Sequence, residues 1–310
     1  MINLFHVCEH KIDTSIYNNL LHDNIVTVFE DSIKEFVGAK YAVTFNSATS
    51  AIFLSLLYKN IKLKVPSMIP PVVLNAIITS GNEYEFVDNI DWVGDSYILH
   101  DFGDWKIVDS AQKLEKGQFI KECSDNDLMV FSFYPTKPIG TFDGGMIVSN
   151  DINKINHLKE MALNGMSYSV NNWERKIKFP GYKMYMNSFQ ADIALRNFKL
   201  YEDKLKKLKF VRDLYNKELG YNNTSNHLYR ININDRDSFI DYMKNNDVSC
   251  GIHYESCHLN PVYRIDNTSY PLSEKESKTT VSIPFHEKLS KSDIIYIINK
   301  IKDYIGKENK

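Results

Sequence analysis

Arginine is scarce in this chain, cysteine is sparse and long apolar runs are missing. Lys and Arg total 37, but only Arg175, Arg196, Arg212, Arg230, Arg236 and Arg264 are arginines. With 39 acidic residues the formal net charge is −2, so no overall basic field favours nucleic acid or an anionic membrane. The four cysteines, Cys8, Cys123, Cys250 and Cys257, form no CxxC pair and have no metal-ligand spacing, so no metal site is expected. Scattered cysteines in a chain this long read as reduced thiols of a cytoplasmic protein. The opening segment, MINLFHVCEHKID, has charges too early and an apolar run too short for a secretory signal. No run approaches the ~18 apolar residues a membrane helix needs. No G-x-G-x-x-G follows a predicted strand, which argues against a nicotinamide oxidoreductase.

What is present is ordinary globular material: 310 residues, 43% hydrophobic and 25% charged, enough for one large or two modest domains. Asp23 can cap a helix running to about Phe36, with Glu30, Asp31 and Glu35 on its wet face and Gly38 as its stop. Strands are expected at 41–45, 63–66, 84–87, 106–108, 129–133 and 146–148, with helices at 47–57 and 71–79 between the first of them. This alternation predicts a three-layer α/β/α unit around a mostly parallel sheet. Residues 152–163 read as an amphipathic helix and 187–219 as one long helix. A smaller α+β pattern follows, with strands at 228–231, 249–253 and 280–283 and helices at 237–243 and 292–305. The expected division is a large domain over 1–205 and a small one over 206–310.

Three stretches could carry chemistry. Asn46-Ser47-Ala48-Thr49-Ser50-Ala51 joins a strand to a helix; free amides and the helix dipole there favour an anion, although a hydroxyl-rich N-cap has the same composition. Val108-Asp109-Ser110-Ala111-Gln112 puts an acid just past a buried strand, at a ligand crevice or as a cap. Phe131-Ser132-Phe133-Tyr134-Pro135-Thr136-Lys137-Pro138 leads into Gly144-Gly145. A loop lysine is ordinarily solvated, but one held between an apolar strand and a Gly-Gly turn is desolvated and becomes a nucleophile. An anion site, an acid and a buried amine form the set that pyridoxal 5'-phosphate (PLP) requires.

These segments resemble the DegT/DnrJ/EryC1/StrS family of nucleotide-sugar aminotransferases, of the fold-type I, aspartate aminotransferase-like class. "FVGAKYAVTFNSATSAIFLSLL" is similar to the family's first helix and phosphate loop, and "VPSMIPPVVLNAIITSGNEYEFVD" to its next helix and strand. "VDSAQ" matches its Asp-x-x-Gln motif and "FSFYPTKPIGTFDGGMIVSND" its lysine loop. "GYKMYMNSFQADIALRNFKLYEDKL" resembles its long helix and "GIHYESCHLNPVYR" a loop of its small domain.

The resemblance implies that Lys137 forms the Schiff base with PLP and that Asp109 pairs with the pyridine nitrogen. It places Gln112 near the ring hydroxyl, and Ala48, Thr49 and Ser132 at the phosphate. It further implies a homodimer with shared sites, in which Lys183, or alternatively Asn187, reaches the partner's phosphate. His253 and Tyr254 line the substrate cleft or simply pack as a pair. The implied reaction moves an amino group from an amino acid, L-glutamate by resemblance, to a keto-sugar nucleotide for O-antigen, lipopolysaccharide, capsule or other glycans. The rivals are a catalytically silent sugar-nucleotide binder and a dehydratase of the same fold, against which Lys137 argues.

Two positions depart from the family. Pro70 stands where an aromatic ring usually stacks on the cofactor, and Val73 where a threonine is usual. The segment between Asp88 and Lys106 is also too short for two parallel crossovers of roughly a dozen residues each. At least one crossover helix should be missing there, with Trp92, Phe102 and Trp105 folded over the gap or meeting a partner.

Overall fold

The structure, a computed structural model, describes residues 1–169 and 171–308. The helix α1 (Ile25–Val37) ends where Gly38 turns left-handed at φ 83°, and β1 (Tyr41–Phe45) follows. Then come α2 (Ala48–Leu56), β2 (Lys62–Pro66), α3 (Pro71–Thr79) and β3 (Glu83–Val87). The central part holds β4 (Tyr97–Asp101), β5 (Lys106–Asp109), the short α4 (Gln118–Glu122), β6 (Leu128–Ser132), β7 (Gly145–Ser149) and α5 (Ile152–Ala162). The remainder is α6 (Ser188–Lys199), α7 (Tyr201–Leu219), β8 (Tyr229–Asn232), α8 (Arg236–Asn245), α9 (Pro271–Thr279), β9 (Thr280–Ile283) and α10 (Lys291–Glu308).

Five strands form a sheet in the order β1-β7-β6-β5-β4, while β2 and β3 pair in parallel beside it. Side chains alternate along each strand, so each strand supplies both faces. Leu128 and Val130 of β6 and Ile147 of β7 face a cluster with α2, α3 and α5. Met129, Phe131, Met146 and Val148 face a second cluster with α1 and α6. This is the expected three-layer α/β plan. A third cluster packs Leu208, Val211 and Tyr215 of α7 against β8, β9, α8 and α10. Within α7, Leu205 still packs on the second cluster, whereas Leu208 belongs to the third. Ile2 also joins the third cluster and bridges in parallel to Val248.

Several local expectations are corrected. Glu30 is buried rather than wet, because its Oε1 accepts from the Thr44 N–H and Oγ1, both at 2.8 Å, on the strand that α1 covers. The long helix is two helices that meet at Leu200, which serves as C-cap of α6 and N-cap of α7. Tyr201 and Leu205, after the break, still pack on the second cluster, and the change of core comes within α7, between Leu205 and Leu208. Residues 249–253 form no strand and contribute only an isolated bridge, Gly251 to Ser282.

The shortened middle folds in an unanticipated way. Residues 89–106, all described, hold a turn at 91–94 and no helix. However, β4 runs antiparallel to β5, so no crossover is needed and a four-residue turn joins them. The sheet is therefore mixed: β5/β6 is parallel, while β1/β7, β6/β7 and β4/β5 are antiparallel. Phe102 and Trp105 stack at 4.1 Å across that turn, and Lys154 caps Trp105 at 4.1 Å. Trp92 is buried in the first cluster. These rings occupy the region for which the sequence predicts a missing helix. Among the described residues, no helix is long and apolar enough to cross a membrane.

Candidate active site

A cavity of about 380 Å³ opens at the end of the sheet where β5 and β6 run out, the position open α/β sheets use for ligands. Its wall includes Ala48, Thr49, Asp109, Gln112, Ser132, Lys137, His253 and Tyr254. Of the ten residues singled out from the sequence, these eight meet at one place. Lys183 and Asn187 do not line it. Lys183 is exposed, and Asn187 caps α6, its side chain accepting from the Gln190 N–H at 3.0 Å.

The anion end is built by the start of α2. Ser47 caps the helix and its Oγ accepts from the Ser50 N–H at 3.0 Å. First-turn amides such as those of Ala48 and Thr49 have no acceptor within the helix, and both residues lie at the wall. Gly145 makes this approach possible, since a Cβ there would lie 2.5 Å from the Ala48 nitrogen. Ser132, the last residue of β6, completes this side.

Lys137 sits on a loop tied at several points. The Thr141 N–H donates to the Phe133 carbonyl, and the Phe133 N–H to the Gly144 carbonyl, both at 2.8 Å. Lys204 Nζ holds the Pro138 carbonyl at 2.9 Å. Gly140 presses on Pro135 so closely that a Cβ would lie 2.1 Å from the Pro135 oxygen. Burial lowers the Lys137 ammonium to about 8, and the Asp109 carboxylate partly opposes this by favouring the charge.

That shift carries a prediction. With Lys137 as the nucleophile in its neutral form, about one molecule in ten would be competent at pH 7, against about one in three thousand at the ordinary lysine value. The rate of PLP uptake, followed by its visible absorbance, should rise about tenfold from pH 7 to 9 and level off above pH 8. A rate that climbs steadily to pH 10 contradicts it.

Asp109 is 4% exposed and has donors on both oxygens. The Ala111 N–H reaches Oδ1 at 2.9 Å and the Tyr97 hydroxyl reaches Oδ2 at 3.0 Å. Burial raises its pKa, opposed by these two hydrogen bonds and by Lys137. Gln112 accepts from the Gly94 N–H at 2.7 Å and donates to the Tyr254 hydroxyl at 3.0 Å. His253 shares a hydrogen bond with Ser282 at 2.8 Å, and burial, with Lys137 and Arg230 nearby, lowers its pKa to about 4. It is therefore a neutral imidazole at physiological pH.

Pro70 and Val73 line the cavity, as does Tyr97. Trp92 and Tyr254 offer aromatic surface there, parallel to each other with centroids 6.0 Å apart. Tyr97, Trp92, Asp143 and His227 are lining residues that the sequence did not mark as a site. They arrive from a reversed strand, a turn, the lysine loop and the segment before β8, and only Asp143 lies within a quoted motif, the lysine-loop block. Away from the cavity, His6, Cys8 and Glu287 bring ligand atoms within 4.8 Å of one another. There His6 Nδ1 bonds Glu287 Oε1 directly at 2.6 Å.

Amides at a helix start, a buried carboxylate and a desolvated amine around one cavity fit the phosphate, ring nitrogen and aldehyde of PLP. The chain also has relatives. Over residues 13–92 and 107–302 it matches the sequence model of the DegT/DnrJ/EryC1/StrS aminotransferase family. It is 26% identical to the spore coat polysaccharide biosynthesis protein SpsC of Bacillus subtilis, covering 90% of this chain and 89% of that one. It is 24% identical to a UDP-4-amino-4,6-dideoxy-N-acetyl-beta-L-altrosamine transaminase of Campylobacter jejuni, covering 100% and 99%. In fold it is similar to the aminotransferase TlmJ from Streptoalloteichus hindustanus, with TM-score 0.83, 19% identity and full coverage of both chains. It is likewise similar to Helicobacter pylori PseC, an aminotransferase of pseudoaminic acid biosynthesis, with TM-score 0.79, 19% identity and coverage of 97% and 98%. The family match spans every strand of the sheet except β4, together with the lysine loop and the helices behind them, and on that ground the chain belongs to the DegT/DnrJ/EryC1/StrS aminotransferase family, whose enzymes use PLP.

Proposed function

We propose that this enzyme transfers the amino group of L-glutamate to the ketone of a sugar nucleotide, making an amino sugar for a surface glycan such as O-antigen, lipopolysaccharide or capsule. The observation that carries the chemistry is the convergence of Lys137, Asp109 and the start of α2 on one cavity. The substrate class rests on the relatives, which include a UDP-sugar transaminase and a polysaccharide biosynthesis protein.

Bound here, PLP supplies an electron-accepting ring and a carbonyl that can hold an amino group. The start of α2 and Ser132 bind the phosphate and fix the ring's position. Asp109 holds a proton at the ring nitrogen and stabilises positive charge there. Lys137 carries a proton between the substrate carbon and the cofactor carbon, which its lowered pKa suits near neutrality. Gln112, held by the Gly94 N–H and the Tyr254 hydroxyl, would sit near the ring hydroxyl. His253 and Tyr254, in the segment after α8, would line the substrate side of the cavity.

The direct test is incubation with PLP, L-glutamate and a panel of keto-sugar nucleotides, read by mass spectrometry. The expected result is one sugar nucleotide carrying an amine in place of its ketone, with 2-oxoglutarate released. Absence of both products across the panel overturns the reading and favours a silent binder.

The same proposal includes a homodimer in which Lys183 serves the partner's site. Lys137→Ala and Lys183→Ala proteins, each inactive alone, should recover about a quarter of normal activity when mixed and re-equilibrated, because half the dimers are mixed and each has one intact site. No recovery, with exchange verified by native mass spectrometry, shows that the sites are not shared through Lys183.

A further inference from the structure

The segment 93–106 falls between the two stretches that match the family, and it contains all of β4. In this chain β4 is reversed against β5, with Tyr97 directly opposite Asp109. Residues paired across neighbouring strands project from the same face. The Tyr97 ring therefore lies beside the Asp109 side chain and its hydroxyl donates to Oδ2 at 3.0 Å. Trp92 packs on the Tyr97 ring at 4.7 Å and holds it in place. The titratable groups that act on Asp109 are Tyr97 from β4, Lys137 from its loop and Tyr254 from the segment between α8 and α9.

We propose that Tyr97 is a positioning residue for Asp109: its hydroxyl anchors one carboxylate oxygen and sets how strongly Asp109 attracts the proton at the ring nitrogen of bound PLP. This rests on the reading of Asp109 above. A carboxylate that accepts a hydrogen bond is a weaker base. With Tyr97 in place the shared proton stays on the ring nitrogen, and the carboxylate cannot rotate away. Without it, Asp109 is more basic, takes a larger share of that proton and leaves less positive charge on the ring. Less charge on the ring makes the nitrogen at Lys137 hold its own proton to higher pH.

The test is Tyr97→Phe, which keeps the ring that Trp92 packs against. The pH midpoint of the bound cofactor's visible band should rise by roughly half a unit or more. PLP should dissociate more readily, and kcat should fall on the order of tenfold, the scale of one hydrogen bond to a charged group, with KM for glutamate little changed. Thermal melting separates this from misfolding. 3,5-Difluorotyrosine at position 97, a stronger donor of nearly the same shape, should move the midpoint in the opposite direction. A wild-type protein that takes up no PLP removes the proposed function and this inference with it. A yellow wild type whose Tyr97→Phe or difluorotyrosine form keeps the same midpoint removes the inference alone.

Discussion

Lys137→Ala should purify colourless in the presence of PLP and lose transamination by several orders of magnitude. The cavity wall has one lysine among its described residues, so no second amine can take over the covalent link. Lys204 of α7, half-buried behind this loop, is committed to the Pro138 carbonyl and to Glu287. It lines a separate pocket with Pro135 and Gly140. The loss should not come from unfolding. Gly140, Phe133, Thr141 and Lys204 fix the loop backbone without the Lys137 side chain. Removing a partly desolvated ammonium also relieves a burial cost. The measurements are the visible spectrum, 2-oxoglutarate release and the melting temperature. Near-normal turnover in the variant eliminates Lys137 as the nucleophile.

The second large effect is expected at Asp109. Asp109→Asn preserves size and can still bond to Ala111 and Tyr97, but it carries no negative charge to balance a protonated ring nitrogen. In a buried setting that charge lowers the barrier by about 3–4 kcal/mol, so its removal should cut kcat about 10²–10³-fold. PLP should still bind, because the amides of α2 and Lys137 are untouched, so a yellow but slow enzyme is the expected phenotype. If the Asn variant is as fast as the parent, Asp109 is only the cap of the turn that Ala111 begins.

Local chemistry made a good part of this protein legible. Pro71 opening an apolar run located α3 at 71–79, because a proline fits the first turn of a helix and nowhere inside it. The run Tyr41 to Phe45 was readable as β1 by its β-favouring residues and by the bounding Gly38 and Ser47. Asp109, Gln112 and Lys137 were also legible as cavity residues, since each lies at or just past the end of a buried strand and strand ends in an α/β sheet point at one crevice.

Other features depend on partners distant in the chain. A helical pattern shows which face is apolar but not what lies opposite a polar residue, so nothing near Glu30 announces that Thr44 will bond to it. The unbroken periodicity of 187–219 contains no Pro or Gly, yet it splits into two helices at Leu200, and α7 passes from the second core to the third between Leu205 and Leu208. Strand direction is the clearest case. Side chains alternate with a period of two whichever way a strand runs, so "YILHD" reads identically parallel or antiparallel to its neighbour. The sequence alone determined that the link before β5 is too short for a crossover helix. Only the tertiary structure decided that β4 reverses, and that reversal is what lays Tyr97 against Asp109.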